Sequence, residues 1–168
     1  FIYQKPKMWN VYQLETFHLN KRLRGISEIC FVLRAKVHIK GFWFKRYNRA
    51  WQILVAGECD KIYGDSFERA GEEIHQIGNN VTIRFEQMDF GEKGTKSLVI
   101  CGSTPLEKNT IILKFAKDGV EEQRMVEFMG TKTKQSFEIE PIYGVNDVSL
   151  VFLPGSNFNF TSICFCEA

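Results

Sequence analysis

Hydrophobic positions along this chain recur at every second residue in short runs. Val81, Ile83 and Phe85 alternate with Thr82 and Arg84, and Ile111, Leu113 and Phe115 alternate with Ile112 and Lys114. Val126 and Phe128, Phe137 and Ile139, and Val148, Leu150 and Phe152 repeat the pattern. A period of two is the signature of a strand with one face buried. Turn-forming stretches separate the runs: Asp89–Gly94, Lys117-Asp118-Gly119, Gly130-Thr131-Lys132 and Leu153-Pro154-Gly155-Ser156. Strands and turns at this spacing predict an all-β chain folded as a sandwich or a barrel. One stretch reads as helix instead. Phe67, Ala70, Ile74 and Ile77 fall at three- and four-residue steps, and Asp65 with Glu68 has the form of a capping box. Gly71 interrupts it, so a single turn or a hairpin loop fits equally well.

A faint internal repeat bears on organisation. Glu28–Leu33 is similar to Asp147–Phe152, and Val37–Phe44 is similar to Phe158–Phe165. Any two amphipathic hairpins share such features; a true repeat would make residues 23–46 a hairpin of the kind that closes a sandwich. The expected division is a basic lead-in plus an extra β-hairpin over 1–46 and the sandwich over 47–168.

Composition narrows the class. The 168 residues are 44 % hydrophobic and 25 % charged, with 15 Phe against 4 Pro, which excludes disorder as the main reading. No apolar run approaches the roughly 18–20 residues of a membrane-spanning helix, and the first six residues lack the order of a signal peptide. The chain opens on Phe1 rather than Met, so a fragment of a longer protein is expected. Charge is uneven. Residues 1–50 carry 11 Lys or Arg and 2 Glu, a net +9, while residues 51–168 carry 11 Lys or Arg and 18 Asp or Glu, a net −7. A basic half could neutralise phosphates, but no nucleic-acid motif accompanies it, and packing against an acidic neighbour is the plainer reading. Cys30, Cys59, Cys101, Cys164 and Cys166 are odd in number and have apolar neighbours, which predicts free, mostly buried thiols and a reducing, cytoplasmic setting. The Cys164-Phe165-Cys166 pair lacks the further ligands of a zinc site. The sequons at Asn80 and Asn159 are read as unglycosylated chance matches.

Chemistry of catalysis is thin. His18, His38 and His75 share no ligand spacing, and the chain has no G-x-S-x-G, P-loop, G-x-G-x-x-G or H-E-x-x-H. Glu72-Glu73 and Glu121-Glu122 read as solvated loop charges rather than a glycosidase pair. Binding chemistry is richer. A sugar site needs an aromatic face for the ring and planar amides or carboxylates for the hydroxyls. Tyr63-Gly64-Asp65, Gly78-Asn79-Asn80, Lys108-Asn109-Thr110 and Asn157-Phe158-Asn159 offer these groups beside expected strands, although each Asn also suits a turn. Trp43 and Trp51 are rival stacking platforms; Trp43 lies in an alternating run, where core or interface burial is expected.

The order Gly57-Glu58-Cys59-Asp60, Ile77–Val81, Asn109–Phe115 and Asn159–Phe165 resembles family 6 carbohydrate-binding modules. Ile62–Phe67, Ile77–Val81, Met88–Gly94 and Phe152–Phe158 are similar to the C-terminal region of bacterial family 2 β-galactosidases. The resemblance runs over roughly residues 23–166. With the period-two runs it decides for an antiparallel β-sandwich, the galactose-binding-like jelly roll, as a non-catalytic accessory domain, the catalytic Glu pair lying in a separate barrel. Its partners would be carbohydrate and the parent's catalytic domain. The competing expectation is a purely structural domain that docks on that barrel or mediates oligomerisation. The resemblance places Asn159 at a sugar-contacting position and Asn79 and Asn80 in a loop that usually holds a stacking Trp; with Tyr63 these form the expected site. It also implies a structural calcium held by the Glu of the opening strand, matched by Glu58, and an Asp of the closing strand, where this chain has Thr161. A lost carboxylate weakens a site that needs several oxygen ligands, so at most a degraded calcium site is expected.

Overall fold

The computed structural model describes residues 2–4, 11–19, 23, 26–44 and 48–167. The chain divides into two compact units, Phe1–Arg46 and Tyr47–Ala168. In the first unit the described residues form no strand. The hairpin expected over 23–46 is therefore not formed among them, nor is the structural half of the internal repeat. Packing there runs through side chains: the Phe31 and Phe42 rings lie 5.2 Å apart and Phe42 and Phe44 6.2 Å apart, and Lys40 sits over the Tyr12 ring. Trp43, expected in a core or an interface, is 68 % exposed, so it lies in no core; of the thiols expected to be mostly buried, only Cys59 is. A strand needs a partner for its backbone hydrogen bonds, and alternation alone does not supply one.

The second unit is a two-sheet sandwich. Its strands are β1 Leu54–Val55, β2 Lys61–Tyr63, β3 Glu68–Ala70, β4 Glu73–Ile77, β5 Val81–Asp89 and β6 Thr95–Ser103. They continue with β7 Lys108–Lys117, β8 Val120–Met129, β9 Lys134–Ile142, β10 Val145–Phe152 and β11 Phe158–Glu167. One sheet runs β3-β4-β11-β6-β9, with β1 also pairing β11; the other runs β2-β5-β10-β7-β8. Every pairing is antiparallel. The expected all-β sandwich is what the chain forms.

The alternation seen in sequence sorts directly into faces. Val81, Ile83 and Phe85 of β5, Ile111, Leu113 and Phe115 of β7, and Val148, Leu150 and Phe152 of β10 all point into the core. Phe158, Phe160, Ile163 and Phe165 of β11 meet them from the other sheet. Edge-to-face pairs join the layers: Phe90 with Phe165 at 5.1 Å and Phe128 with Phe158 at 5.0 Å. Such pairs add about 0.5–1.5 kcal/mol each beyond area burial. The stretch with helical spacing is the β3–β4 hairpin. Gly71, at φ +65°, makes the turn, and Glu68 pairs with His75 across it. Ile74 and Ile77 are buried three residues apart because β4 is irregular: Gln76 takes φ 51°. That irregularity lends a strand the spacing of a helix.

Candidate functional site

Three loops meet at one end of the sandwich: β2–β3, β4–β5 and β10–β11. Backbone bonds tie them together. Gly78 N donates to Ser66 O at 3.0 Å, Ser156 N to Gly78 O at 3.1 Å, and Asp65 N to Asn79 O at 3.3 Å. Gly64 lies at φ +144°, and a Cβ there would fall 2.6 Å from Asn80 O and Val81 Cα. Only glycine permits this approach. Beneath the rim, Asn109 is buried and its amide donates to Ser156 O and to Thr104 Oγ1. Asn109, one of the amides noted in sequence, thus fixes the β10–β11 loop from below.

These loops enclose an open depression of about 490 Å³ lined by Asp65, Ser66, Gln76, Gly78, Asn79, Gly155 and Asn157. Its walls carry amides, a hydroxyl and one carboxylate, and no aromatic ring. Asn79 faces it with its Oδ1 held by Gly155 N at 3.1 Å. Asn159 lies on β11 behind the wall: its Oδ1 accepts from Gln76 N at 2.9 Å, and its amide reaches Ser103 Oγ at 3.5 Å. It therefore sets the backbone of Gln76 at φ 51°. Asn80 takes a left-handed turn at φ 45° and is exposed beside the depression rather than within its lining. Tyr63 is 56 % exposed and belongs to the outer face of the β2 sheet. The expected cluster therefore separates. Asn79 lines the depression, Asn159 positions it, Asn80 forms its turn, and Tyr63 faces elsewhere. Ser66 and Gln76 were missed: a Ser in a turn and a Gln in a strand-like run carry no distinguishing sequence signal.

Tyr63 heads a row that the register lays across the outer face of the five-stranded sheet: Tyr63, Thr82, Val151, Ile112 and Met125. The adjoining row is Lys61, Arg84, Ser149, Lys114 and Gln123. Its charges are paired, Arg84 with Asp147 at 2.6 Å, Lys61 with Glu86 at 2.7 Å and Lys114 with Glu121 at 2.8 Å. Burial alone would raise the Asp147 pKa, but the Gln87 N–H and the Arg84 guanidinium hold it below the usual carboxylate range. A second open hollow of about 330 Å³ lies at the other end of the sandwich, beside Asn48, Trp51, Asp89 and Glu167. Trp51 is half-buried there, edge-on to Phe90 at 5.7 Å.

Glu58 is the carboxylate that the implied calcium would use. It is exposed and lies on the 3₁₀ turn Ala56–Glu58. Among the described residues no three His, Cys, Asp or Glu side chains gather as a metal group. Thr161 donates its hydroxyl to Glu73 at 3.1 Å. Calcium takes six to eight oxygens, usually with carboxylates among them, and this donor set does not fit it.

No protein-family model matches the chain, and no curated protein matches it. Solved structures do. A family 6 carbohydrate-binding module from Clostridium stercorarium, solved with cellobiose, is 22 % identical, with a TM-score of 0.57. The match covers 71 % of this chain and 95 % of that one. A family 6 module from Clostridium cellulolyticum, solved with xylose, is 20 % identical with a TM-score of 0.58, covering 70 % and 98 %. A family 36 module in complex with calcium and xylotriose is 15 % identical with a TM-score of 0.51, covering 68 % and 99 %. The second unit thus has the sandwich fold of carbohydrate-binding modules.

Proposed function

We propose that the sandwich is a non-catalytic carbohydrate-binding module and that the depression at its loop end is the binding site. The observation that carries this reading is the depression itself: five hydrogen-bonding side chains, Asp65, Ser66, Gln76, Asn79 and Asn157, on loops cross-tied by backbone bonds. Preorganised amides and carboxylates match the paired donors and acceptors of vicinal hydroxyls. The solved relatives with bound sugars support the reading. Tyr63, Asn80 and Asn159 belong to the same proposal, Tyr63 as a platform for a longer chain leaving the depression across the sheet face, Asn159 through Gln76. We further infer a C-terminal accessory domain of a β-galactosidase handling galactoside-type glycans, and the resemblance of Ile62–Phe67 and Phe152–Phe158 supports this. The free thiols suit a cytoplasmic parent.

Calorimetric titration with galactosides and with cello- and xylo-oligosaccharides tests the reading. Dissociation constants of roughly millimolar to tens of micromolar are expected. Asp65→Ala and Asn79→Ala should each weaken binding about five-fold, one hydrogen bond contributing about 1 kcal/mol. Tyr63→Ala should weaken oligosaccharides more than monosaccharides. A second reading, a structural domain docking on a catalytic barrel, is favoured by the first unit, whose residues 1–46 hold 10 Lys or Arg against 2 Glu. Absence of heat and of chemical-shift change with every millimolar sugar would leave that reading standing.

A further inference from the structure

The closing strand β11 is held to β4 by few ladder positions. The paired residues are Phe158 with Ile77 and Phe160 with Ile74, and the register shifts between them. On its other side β11 shifts again, against β6, between Phe160 and Ser162. Thr161 is the residue left over at this bulge. A bulge re-aims the side chain it carries. Here the Thr161 hydroxyl is aimed across at β4 and donates to Glu73 Oε1 at 3.1 Å. The other oxygen, Glu73 Oε2, lies 2.7 Å from His75 Nε2. Both oxygens of one carboxylate are thus occupied by protein groups.

The position matters because it is where calcium is implied. The turn bearing Glu58 abuts this place: Gly57 N donates to Glu72 O at 2.8 Å, one residue from Glu73. Thr161 stands where the implied ligand set has its carboxylate. The two oxygens that Glu73 could offer a metal there are already engaged by Thr161 and His75.

We propose that the Glu73 carboxylate, held by Thr161 at the β11 bulge and by His75, does the cross-strand tying that a calcium ion would otherwise do, so that this sandwich folds without a divalent cation. A charge-assisted hydrogen bond across a bulge supplies directed attraction where the ladder is interrupted. The Glu73 pKa is lowered, first by the His75 hydrogen bond and then by Thr161, as fits a carboxylate whose charged form the fold uses.

The test is thermal unfolding of the full chain by circular dichroism, in EDTA and in millimolar calcium chloride. The wild-type midpoint should be the same in both. A ligand that binds the folded state raises the midpoint with its concentration, so a rise in calcium, or a fall in EDTA, overturns the proposal. Glu73→Gln should lower the midpoint by about 3–6 °C in both buffers. Thr161→Val keeps the shape, removes only the hydroxyl, and serves if Glu73→Gln does not fold; it should lower the midpoint by a smaller amount. A midpoint unchanged in whichever variant folds would equally overturn it.

Discussion

Tyr63 shows how one side chain's orientation reshapes a functional reading. Strand parity puts Lys61 and Tyr63 of β2 outside and Ile62 against the core, so Tyr63 belongs to the sheet face and not to the lining of the loop depression two residues away. Gly64, by contrast, is fixed by space. A Cβ at φ +144° would press on Asn80 O, so Gly64→Ala should cost about 2–3 kcal/mol, read from the denaturant midpoint, and should weaken sugar binding with it. Ionisable groups add a pH dependence. Asp147, on the bulge of β10, accepts from Gln87 N and Arg84, and its folded pKa is lowered. Glu73 is lowered by His75 and Thr161. A depressed folded pKa contributes stability that is present above the unfolded value and is lost as pH falls through the folded one. The unfolding midpoint should therefore hold from neutrality to about pH 5 and drop below about pH 4. Asp147→Asn should shrink that drop; an unchanged acid profile in this variant would refute the assignment.

Among the strands, β11 has the central place in its sheet, between β4 and β6. Four of its apolar side chains are buried, and Phe165 touches both Phe90 and Phe115. Phe165→Ala should cost about 3–5 kcal/mol, the usual result of removing a buried ring from a packed core, and a loss under 1 kcal/mol would contradict the packing described. The edge strand β8 is different. It carries Glu121, Glu122, Arg124 and Glu127, and Arg124 bridges to Glu140 of β9 at 3.1 Å. Charges on an edge discourage pairing with another chain. The long strands other than β6 were legible in sequence because each buries one face and shows its period. The hairpin β3–β4 was legible only as one of several readings, because a left-handed residue inside β4 breaks parity and imitates helical spacing.

At the level of the chain, every buried hydrophobic residue among those described lies between Ala50 and Phe165. The sandwich thus owns its core. A fragment of residues 47–168 should fold cooperatively with a β-type circular dichroism spectrum and the same sugar affinities as the full chain. A fragment that is unfolded, or that loses binding, would show that residues 1–46 complete the unit. The charge contrast between the halves was visible in sequence, but charge is isotropic and gives no geometry, so it could not decide whether residues 23–46 pair as strands.

Alternation and turn chemistry alone determined the all-β class, the placing of β5, β7 and β10, and the loops at which polar side chains would gather. Both are local signals, written in neighbouring residues. Only the tertiary structure decided which of Tyr63, Asn79, Asn80 and Asn159 share a surface, because that depends on strand parity and on loops meeting from positions some ninety residues apart. It also decided the role of Thr161. Whether a threonine merely replaces a carboxylate or engages a new partner depends on a bulge that brings Glu73, 88 residues away in the chain, within 3.1 Å. Register shifts of this kind arise from packing between sheets, and the sequence around Thr161 carries no trace of them.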